Sequence, residues 1–321
     1  MSSTKSILSA AFQLKDLGEV KQFLGLEIDW DRKKGTTQLL QQKYVHNLLL
    51  ELGLENCKPI YLPMESALQL PVHSSKPNET PLSDKDIKFM RNKPYSRVLG
   101  LLNWLANGTR LDIAHACLFL GQHAKQPGPL HWMALMQVVR YLRTMYNSGI
   151  VFACGSGLTL VGYSNSDHGG EYTQLHVVYR LRFHAWGSAI LHKAIKQSCV
   201  AKLSAEAKYA ALYKCATQSV WLCRLVSDFL LKTSNPIEIW MDSQLAMKIA
   251  LRNGFSGRTK HINIDYHYLR NLVQNKEITL TWVPGQENIA NICTKPLPRP
   301  RFHELLLLLC FDVSFDKSTL L

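Results

Sequence analysis

A change of pattern near Ile150 sets the fold class of the second half of this chain. Before that point apolar residues recur at helical spacing, and beyond it short apolar runs alternate with helical segments. Three strands, a helix, a strand, two helices, a strand and a short helix form the order of an α/β sandwich around a mixed sheet. The predicted strands are Leu158–Ser164, Ala185–His192, Ser198–Leu203, Ile237–Met241 and Ile278–Val283, and the predicted helices are Glu206–Leu231, Ser243–Arg252, Ile264–Val273 and Asn288–Thr294.

The first half begins with a hairpin pattern and continues with helices. Phe23–Trp30 predicts a strand paired with Thr37–Leu40, and Gln42–Leu52 predicts a helix that ends at Gly53. A stretch rich in Pro, Ser and Asn at 65–94 predicts a linker. Three apolar helices follow, at Tyr95–Ala106, Asp112–His123 and Leu130–Met145. We therefore expect parts at 1–70, 71–150 and 151–300, with a tail at 301–321.

Composition and charge narrow the classes of protein that fit. The chain has 321 residues, 46% of them hydrophobic, which excludes collagen-like and wholly disordered chains. Thirty-seven Lys and Arg residues against 24 Asp and Glu give a net charge of +13, which favours nucleic acid as partner over a small-molecule substrate. No apolar run reaches the roughly 18 residues of a membrane span. The eight cysteines form no CxxC pair, so we expect reduced thiols and a location in the cytoplasm or nucleus.

Carboxylates stand at two of the four places where a mixed α/β sandwich can assemble a metal-dependent nuclease. Such sites hold two divalent cations about 3.5 to 4 Å apart between clustered acids. Asp242 ends a predicted strand and Glu206 opens the long helix, although a helix cap and a helix-dipole role also account for these two acids. The first-strand position, at 163–167, and the last-helix position, at 288–292, both offer amides.

Short motifs spread over nearly the whole chain carry a family resemblance. They are Lys15-Asp16-Leu17-Gly18 with Phe23–Ile28, Gln42–Val45, Cys57-Lys58-Pro59 with Pro63-Met64, Tyr95 to Ile113, His131-Trp132 with Arg140-Tyr141-Leu142, Gly162-Tyr163-Ser164, Leu203–Tyr209, Arg258–Ile262 and Cys293–Leu297. In this order they resemble the C-terminal part of the Pol polyprotein of copia-type LTR retrotransposons (Pseudoviridae). The resemblance covers the end of the reverse transcriptase, the connection region and the ribonuclease H domain.

The resemblance implies a fold, a cofactor and a substrate. It implies a ribonuclease H-like mixed five-stranded sheet with flanking helices at 151–300. A reverse-transcriptase remnant of palm end and thumb would precede it at 1–70, and a linker with a helical connection region at 71–150. The implied chemistry is Mg²⁺-dependent cleavage of RNA in an RNA–DNA hybrid, and the implied ligand positions are Asn165, Glu206, Asp242 and Asn291.

Departures from the family pattern predict a loss of catalysis. With amides at Asn165 and Asn291, only Glu206 and Asp242 remain as charged metal ligands, which leaves two divalent cations under-neutralised. On a strand, Asp167 would face the same side as Asn165, so it is a candidate to replace Asn165 as a charged metal ligand. No Tyr-x-Asp-Asp polymerase motif occurs, and 171–183 reads as local drift.

We therefore expect a truncated, inactive Pol copy, a remnant of an element that moved by RNA-mediated transposition. One alternative is an active Mg²⁺-dependent ribonuclease H. The other is a nucleic-acid-binding module without catalysis.

Overall fold

Two separate sheets form in the part of the chain that the structure describes. The computed structural model describes residues 2–73, 81–153, 159–167, 176–185, 188–200, 204–229, 236–251 and 263–309. Within these ranges one sheet has four strands and the other has five. No helix in these ranges is both long enough and apolar enough to cross a bilayer.

The four-stranded sheet joins the N-terminal segment to the residue stretch around 150. Its antiparallel strands are β1 (Gln22–Phe23), β2 (Leu26–Asp31), β3 (Thr36–Leu40) and β4 (Ile150–Ala153). The predicted hairpin with Thr37–Leu40 is present, but the predicted strand Phe23–Trp30 is divided between β1 and β2, and β4 was not predicted. A Cβ at Gly149 would overlap the carbonyl oxygen of Leu39, so the glycine permits β4 to approach β3 this closely.

The helices that build the first hydrophobic core follow an exposed helix, α1 (Ser2–Ala11), none of whose described side chains is buried. They are α2 (Gln42–Leu52), α3 (Asp84–Met90), α4 (Tyr95–Gly108), a short 3-10 helix (Leu111–Ile113), α5 (Ala114–Gly121) and α6 (Pro129–Thr144). The predicted helix Asp112–His123 is therefore split between the 3-10 turn and α5. Buried side chains such as Leu102, Leu105 and Leu135 form the centre of this core.

A buried ion pair ties the helices of the first core together. Arg110 Nη2 donates to Asp112 Oδ2 at 2.7 Å, and Arg110 Nη1 donates to the Met145 carbonyl at 2.9 Å. The Tyr141 hydroxyl also donates to Asp112 Oδ2, at 2.8 Å. Burial and the neighbouring carboxylate raise the pKa of Tyr141, so its hydroxyl keeps the proton that it donates. Both charged side chains are almost fully buried, and their hydrogen bonds replace the water that they have lost.

The five-stranded sheet forms the α/β domain. Its strands are β5 (Val161–Asp167), β6 (His176–Ala185), β7 (Ser188–Val200), β8 (Ile237–Met241) and β9 (Ile278–Trp282), in the order β7-β6-β5-β8-β9. β5, β8 and β9 are parallel, and β6 and β7 run antiparallel to their neighbours. The helices of this domain are α7 (Ser204–Asp228), α8 (Gln244–Leu251) and α9 (Asn263–Gln274). The predicted α/β class is confirmed.

The predicted second and third strands were misplaced. The prediction put strands at 185–192 and 198–203 and read 171–183 as drift, but β6 covers 176–185 and β7 runs without a break from 188 to 200. Phe183 pairs with Leu191 and Ala185 pairs with Ser188, so the two strands are antiparallel neighbours. Residues 193–196, which lay between the two predicted strands, pair with β6 as part of one long strand.

The C-terminal helices pack into the first core. α10 (Asn291–Thr294) and α11 (Arg299–Leu308) contribute the buried side chains Cys293, Phe302 and Leu305 to it. The Phe302 and Tyr141 rings lie edge to face with centroids 5.9 Å apart. Part of the predicted tail at 301–321 therefore belongs to α11, and residues 310–321 lie outside the described ranges. The predicted domain boundaries stay a prediction.

We expect Asp112→Ala to lower the free energy of unfolding by about 3 to 5 kcal/mol, because it leaves the buried Arg110 guanidinium without its counterion. Urea denaturation measures the change. Asp29→Ala, at an exposed strand position, is the control, with an expected change within about 0.5 kcal/mol. Equal losses in the two variants would contradict a stabilising role for the Arg110–Asp112 pair.

Candidate functional site

Two amide side chains meet directly at the predicted first-strand and last-helix positions. Asn165, in β5, donates from Nδ2 to Asn291 Oδ1, in α10, at 2.9 Å. Asn165 Oδ1 accepts from the Ser166 backbone N–H at 2.8 Å, and Asn291 Nδ2 donates to the Gly285 carbonyl at 2.5 Å. Both side chains are buried. Every polar atom of these two amides therefore has a partner within the protein.

Neighbouring polar groups extend this network. Thr294 Oγ1 accepts from Asn165 Nδ2 at 3.2 Å and donates to the Asn291 carbonyl at 3.1 Å. Asn288 Nδ2 donates to the Ser164 carbonyl at 3.0 Å, and its Oδ1 accepts from the Ala290 backbone N–H at 3.0 Å. These bonds hold the start of α10 against β5 without any charged group.

An ion pair lies at the other end of the site. Asp242 follows the last residue of β8, and its Oδ2 accepts from Lys208 Nζ, in α7, at 2.8 Å. The Asp242 side chain is 11% exposed and the Lys208 side chain 25% exposed, so both are largely withdrawn from water. A Cβ on Gly285 would lie 3.5 Å from Asp242 Oδ2. Gly285 thus lies between Asp242 and Asn291 and links the ion pair to the amide network.

The structure brings three of the four predicted positions to one place. Asn165 and Asn291 touch, and Asp242 is next to them through Gly285. Glu206 lies in the first turn of α7, two positions before Lys208, and its side chain is outside the described part of the structure. The same holds for the side chain of Asp167, the last residue of β5.

The described donor set does not fit a pair of divalent cations. Mg²⁺ binds carboxylate and other oxygen ligands, and a charged pair of ions needs negative charge around it. Here Asn165 Oδ1 and Asn291 Oδ1 already accept hydrogen bonds, and the ammonium of Lys208 lies on Asp242. Among the described residues, no group of three or more His, Cys, Asp or Glu side chains is arranged around a metal position.

Similarity to known proteins places the chain in a family. It is 32% identical over 298 residues to the retrovirus-related Pol polyprotein from transposon TNT 1-94 of Nicotiana tabacum, and 32% identical over 307 residues to that from transposon RE1 of Arabidopsis thaliana. These alignments cover 93% and 94% of this chain. The chain belongs to the copia-type retrotransposon Pol family. No protein-family model matches it.

This Pol segment is short beside its relatives. It spans 22% of the tobacco polyprotein and 20% of the Arabidopsis one. The secreted RxLR effector protein 161 of Plasmopara viticola is 35% identical over 133 residues, which cover 41% of this chain and 94% of that protein. Because the Pol alignments include the second half of the chain, they support a Pol fragment with a ribonuclease H-like domain, as the sequence motifs predicted.

Solved ribonuclease H structures align weakly with the Pol fragment. The N-terminal RNase H domain of a Mycobacterium tuberculosis protein covers 47% of this chain and 98% of its own, with 13% identity and a TM-score of 0.32. LC11-RNase H1, solved in complex with an RNA/DNA hybrid, covers 40% of this chain and 88% of its own, with 11% identity and a TM-score of 0.31. These scores lie below the level that establishes a common fold, so membership in the Pol family rests on the curated relatives.

Three functional contacts of the Pol fragment escaped the sequence reasoning. Lys208 was noted only as part of a motif, and nothing in its spacing indicated Asp242 as its partner. Thr294 was assigned only to the last helix and to the Cys293–Leu297 motif, and no role was predicted for Gly285. The spacing from Glu206 gives no signal for Lys208 either, because residues two positions apart on a helix point to opposite sides.

We expect Asn165→Asp to destabilise the Pol fragment at neutral pH. The new carboxylate oxygen would face Asn291 Oδ1, an acceptor, and the Thr294 hydroxyl could donate to it only by giving up its bond to the Asn291 carbonyl, so one buried acceptor would lose its donor. A buried ionised acceptor without a partner costs about 1 to 3 kcal/mol or more. As the pH falls the carboxyl takes up a proton and can donate, so the loss should shrink at mildly acidic pH.

Urea denaturation at neutral and at mildly acidic pH measures the change in the free energy of unfolding. Asn92→Asp, at an exposed turn, is the matched control and should leave the free energy of unfolding nearly unchanged at both. If the free energy of unfolding of Asn165→Asp were lowered equally at both pH values, the proposed contact between two acceptors would be contradicted.

Proposed function

We propose that this chain is a Pol fragment whose ribonuclease H-like domain does not cleave RNA–DNA hybrids. The observation that carries the proposal is the closed contact between Asn165 and Asn291, at the positions where the family resemblance implies metal-binding acids. Two amides attract each other without a cation between them, whereas two facing carboxylates would need a cation or a shared proton.

The charge balance of the site supports this proposal. Asp242 is the one described carboxylate at the four implied positions, and the Lys208 ammonium neutralises it at 2.8 Å. A divalent cation would have to displace that ammonium and would find neutral amides on its other side. The described residues therefore do not fit paired Mg²⁺ ions, and we assign no catalytic step to them. The implied roles of Glu206 and Asp242 as metal ligands are ancestral in this proposal.

The remaining parts of the proposal follow the order of the Pol motifs. Residues 1–70 would correspond to the palm end and thumb of a reverse transcriptase, 71–150 to the connection region, and 151–300 to the ribonuclease H-like domain. The partner class is nucleic acid, with RNA–DNA hybrid as the ancestral substrate. The location that matches this partner is inside the cell, in the cytoplasm or nucleus.

A cleavage assay tests the proposal directly. We expect the purified chain to leave a labelled RNA–DNA hybrid intact with either Mg²⁺ or Mn²⁺. Its cleavage rate should equal that of the variant Asp242→Asn, which serves as the background. Cleavage by the parent chain that disappears in Asp242→Asn would overturn the proposal and establish the alternative of an active ribonuclease H.

Restoration of the acids provides a second test. We expect Asn165→Asp with Asn291→Asp and Lys208→Ala to create a site that Mg²⁺ stabilises, seen as a rise of the unfolding midpoint with added metal. The control variant carries the same two Asn→Asp changes but Lys214→Ala, at an exposed position of α7, in place of Lys208→Ala. It therefore keeps the Lys208 ammonium on Asp242. An equal response to Mg²⁺ in both variants would show that Lys208 does not block the site.

A further inference from the structure

A cleft in the helical region is lined by cations. It has a volume of about 480 Å³ and lies between α3, the start of α4 and the segment that joins α5 to α6. Arg91, Lys93, Arg97 and Lys125 line it, and no Asp or Glu is among its lining residues. These four side chains are exposed. Positive charge concentrated in a concave surface attracts and holds polyanions.

Acidic residues near the cleft do not cancel this charge. Arg97 Nη2 donates to Glu51 Oε2 at 3.0 Å, yet its side chain remains 67% exposed. Asp84 and Asp86, in the first turn of α3, follow the lining residue Leu82 but do not line the cleft themselves, and among the described residues neither forms an ion pair with Arg91, Lys93 or Lys125. The other three cations of the cleft are therefore available to an anionic partner.

Aromatic rings flank the central cation. Lys93 Nζ lies 5.3 Å from the centre of the Phe89 ring and 5.5 Å from that of Trp132. The Phe89 side chain is 46% exposed, although apolar rings of this size are usually covered. An exposed ring beside a row of cations is the arrangement by which proteins stack an unpaired base and hold the adjoining phosphates.

The backbone adds to the positive potential of the cleft. α4 begins after Pro94, which supplies no capping side chain, and the first-turn residues Ser96 and Arg97 line the cleft. The N-terminal end of a helix carries partial positive charge and favours phosphate groups. This contribution has the same sign as that of the four side chains.

We propose that this cleft binds single-stranded nucleic acid, with phosphates on Arg91, Lys93 and Lys125 and a base stacked beside the cleft on Phe89, which is not itself a lining residue. None of its lining residues belongs to the site around Asn165 and Asp242, so the proposal goes beyond the loss of cleavage and does not depend on it. A duplex or hybrid, whose bases are stacked on one another, would not present a free base face to Phe89.

Salt-dependent binding tests the role of the cations. Anisotropy of a labelled oligothymidine, titrated with the full chain in EDTA, gives affinity over a range of salt concentrations. We expect Arg91→Gln with Lys93→Gln and Lys125→Gln to weaken binding about tenfold or more at low salt, and to reduce the slope of log affinity against log salt by about 2.

The matched control removes the same charge elsewhere. Lys15→Gln with Lys21→Gln and Lys33→Gln neutralises three exposed cations of the N-terminal segment. We expect this variant to keep a salt slope close to that of the parent. Equal slopes for the cleft variant and the control would overturn the proposal, because they would mean that net charge alone drives binding.

Replacement of the aromatic residue Phe89 tests whether a base stacks on its ring. We expect Phe89→Ala to weaken binding of the oligothymidine about five- to a hundredfold, with Phe12→Ala, another exposed phenylalanine, as the control. Unchanged affinity in Phe89→Ala would overturn the assignment to a single strand. Displacement by polyglutamate as efficient as by unlabelled oligothymidine would also overturn it and would indicate an acidic protein as partner.

Discussion

The hydrogen bond between Asn165 and Asn291 joins β5 to α10 at two positions that the family resemblance implies as metal ligands. An amide offers a donor and an acceptor on the same group, so two amides can meet in a buried pocket without any ion. Thr294 completes the contact, and Lys208 balances the remaining charge on Asp242. The pocket is consequently stabilised by its own residues, in the way that a structural polar network is.

The sequence located one of the element ends that matter for this pocket and misplaced two. Asp242 directly after a short apolar strand follows from local periodicity, which depends on neighbouring residues only. The predicted strand ended at Ser164 and the predicted last helix began at Asn288, whereas β5 runs to Asp167 and α10 begins at Asn291. The choice of Asn165 and Asn291 came from the family resemblance. The pairing of Lys208 with Asp242, and of β4 with β3, joins segments that are distant in the chain. Local patterns carry no information on such contacts.

The strand boundaries of β6 and β7 illustrate the second reason for misplacement. Residues 193–197 mix polar and apolar residues without strict alternation, so local periodicity did not predict a strand through them. In the sheet, β7 lies at the edge next to β6, where polar side chains are tolerated and help to prevent further pairing. The position of a strand in the sheet thus decides how polar it can be, and that position emerges only from the complete fold.

The packing of α10 and α11 has a consequence for how such a chain can change over time. Phe302 covers Tyr141, and the Cys293 thiol lies 3.8 Å from the Leu111 carbonyl, so the end of the chain completes the core made by its first half. Recombination that exchanged the α/β half alone between two elements would pair α11 with foreign helices. An exchange that preserves this buried fit would have to carry both halves together.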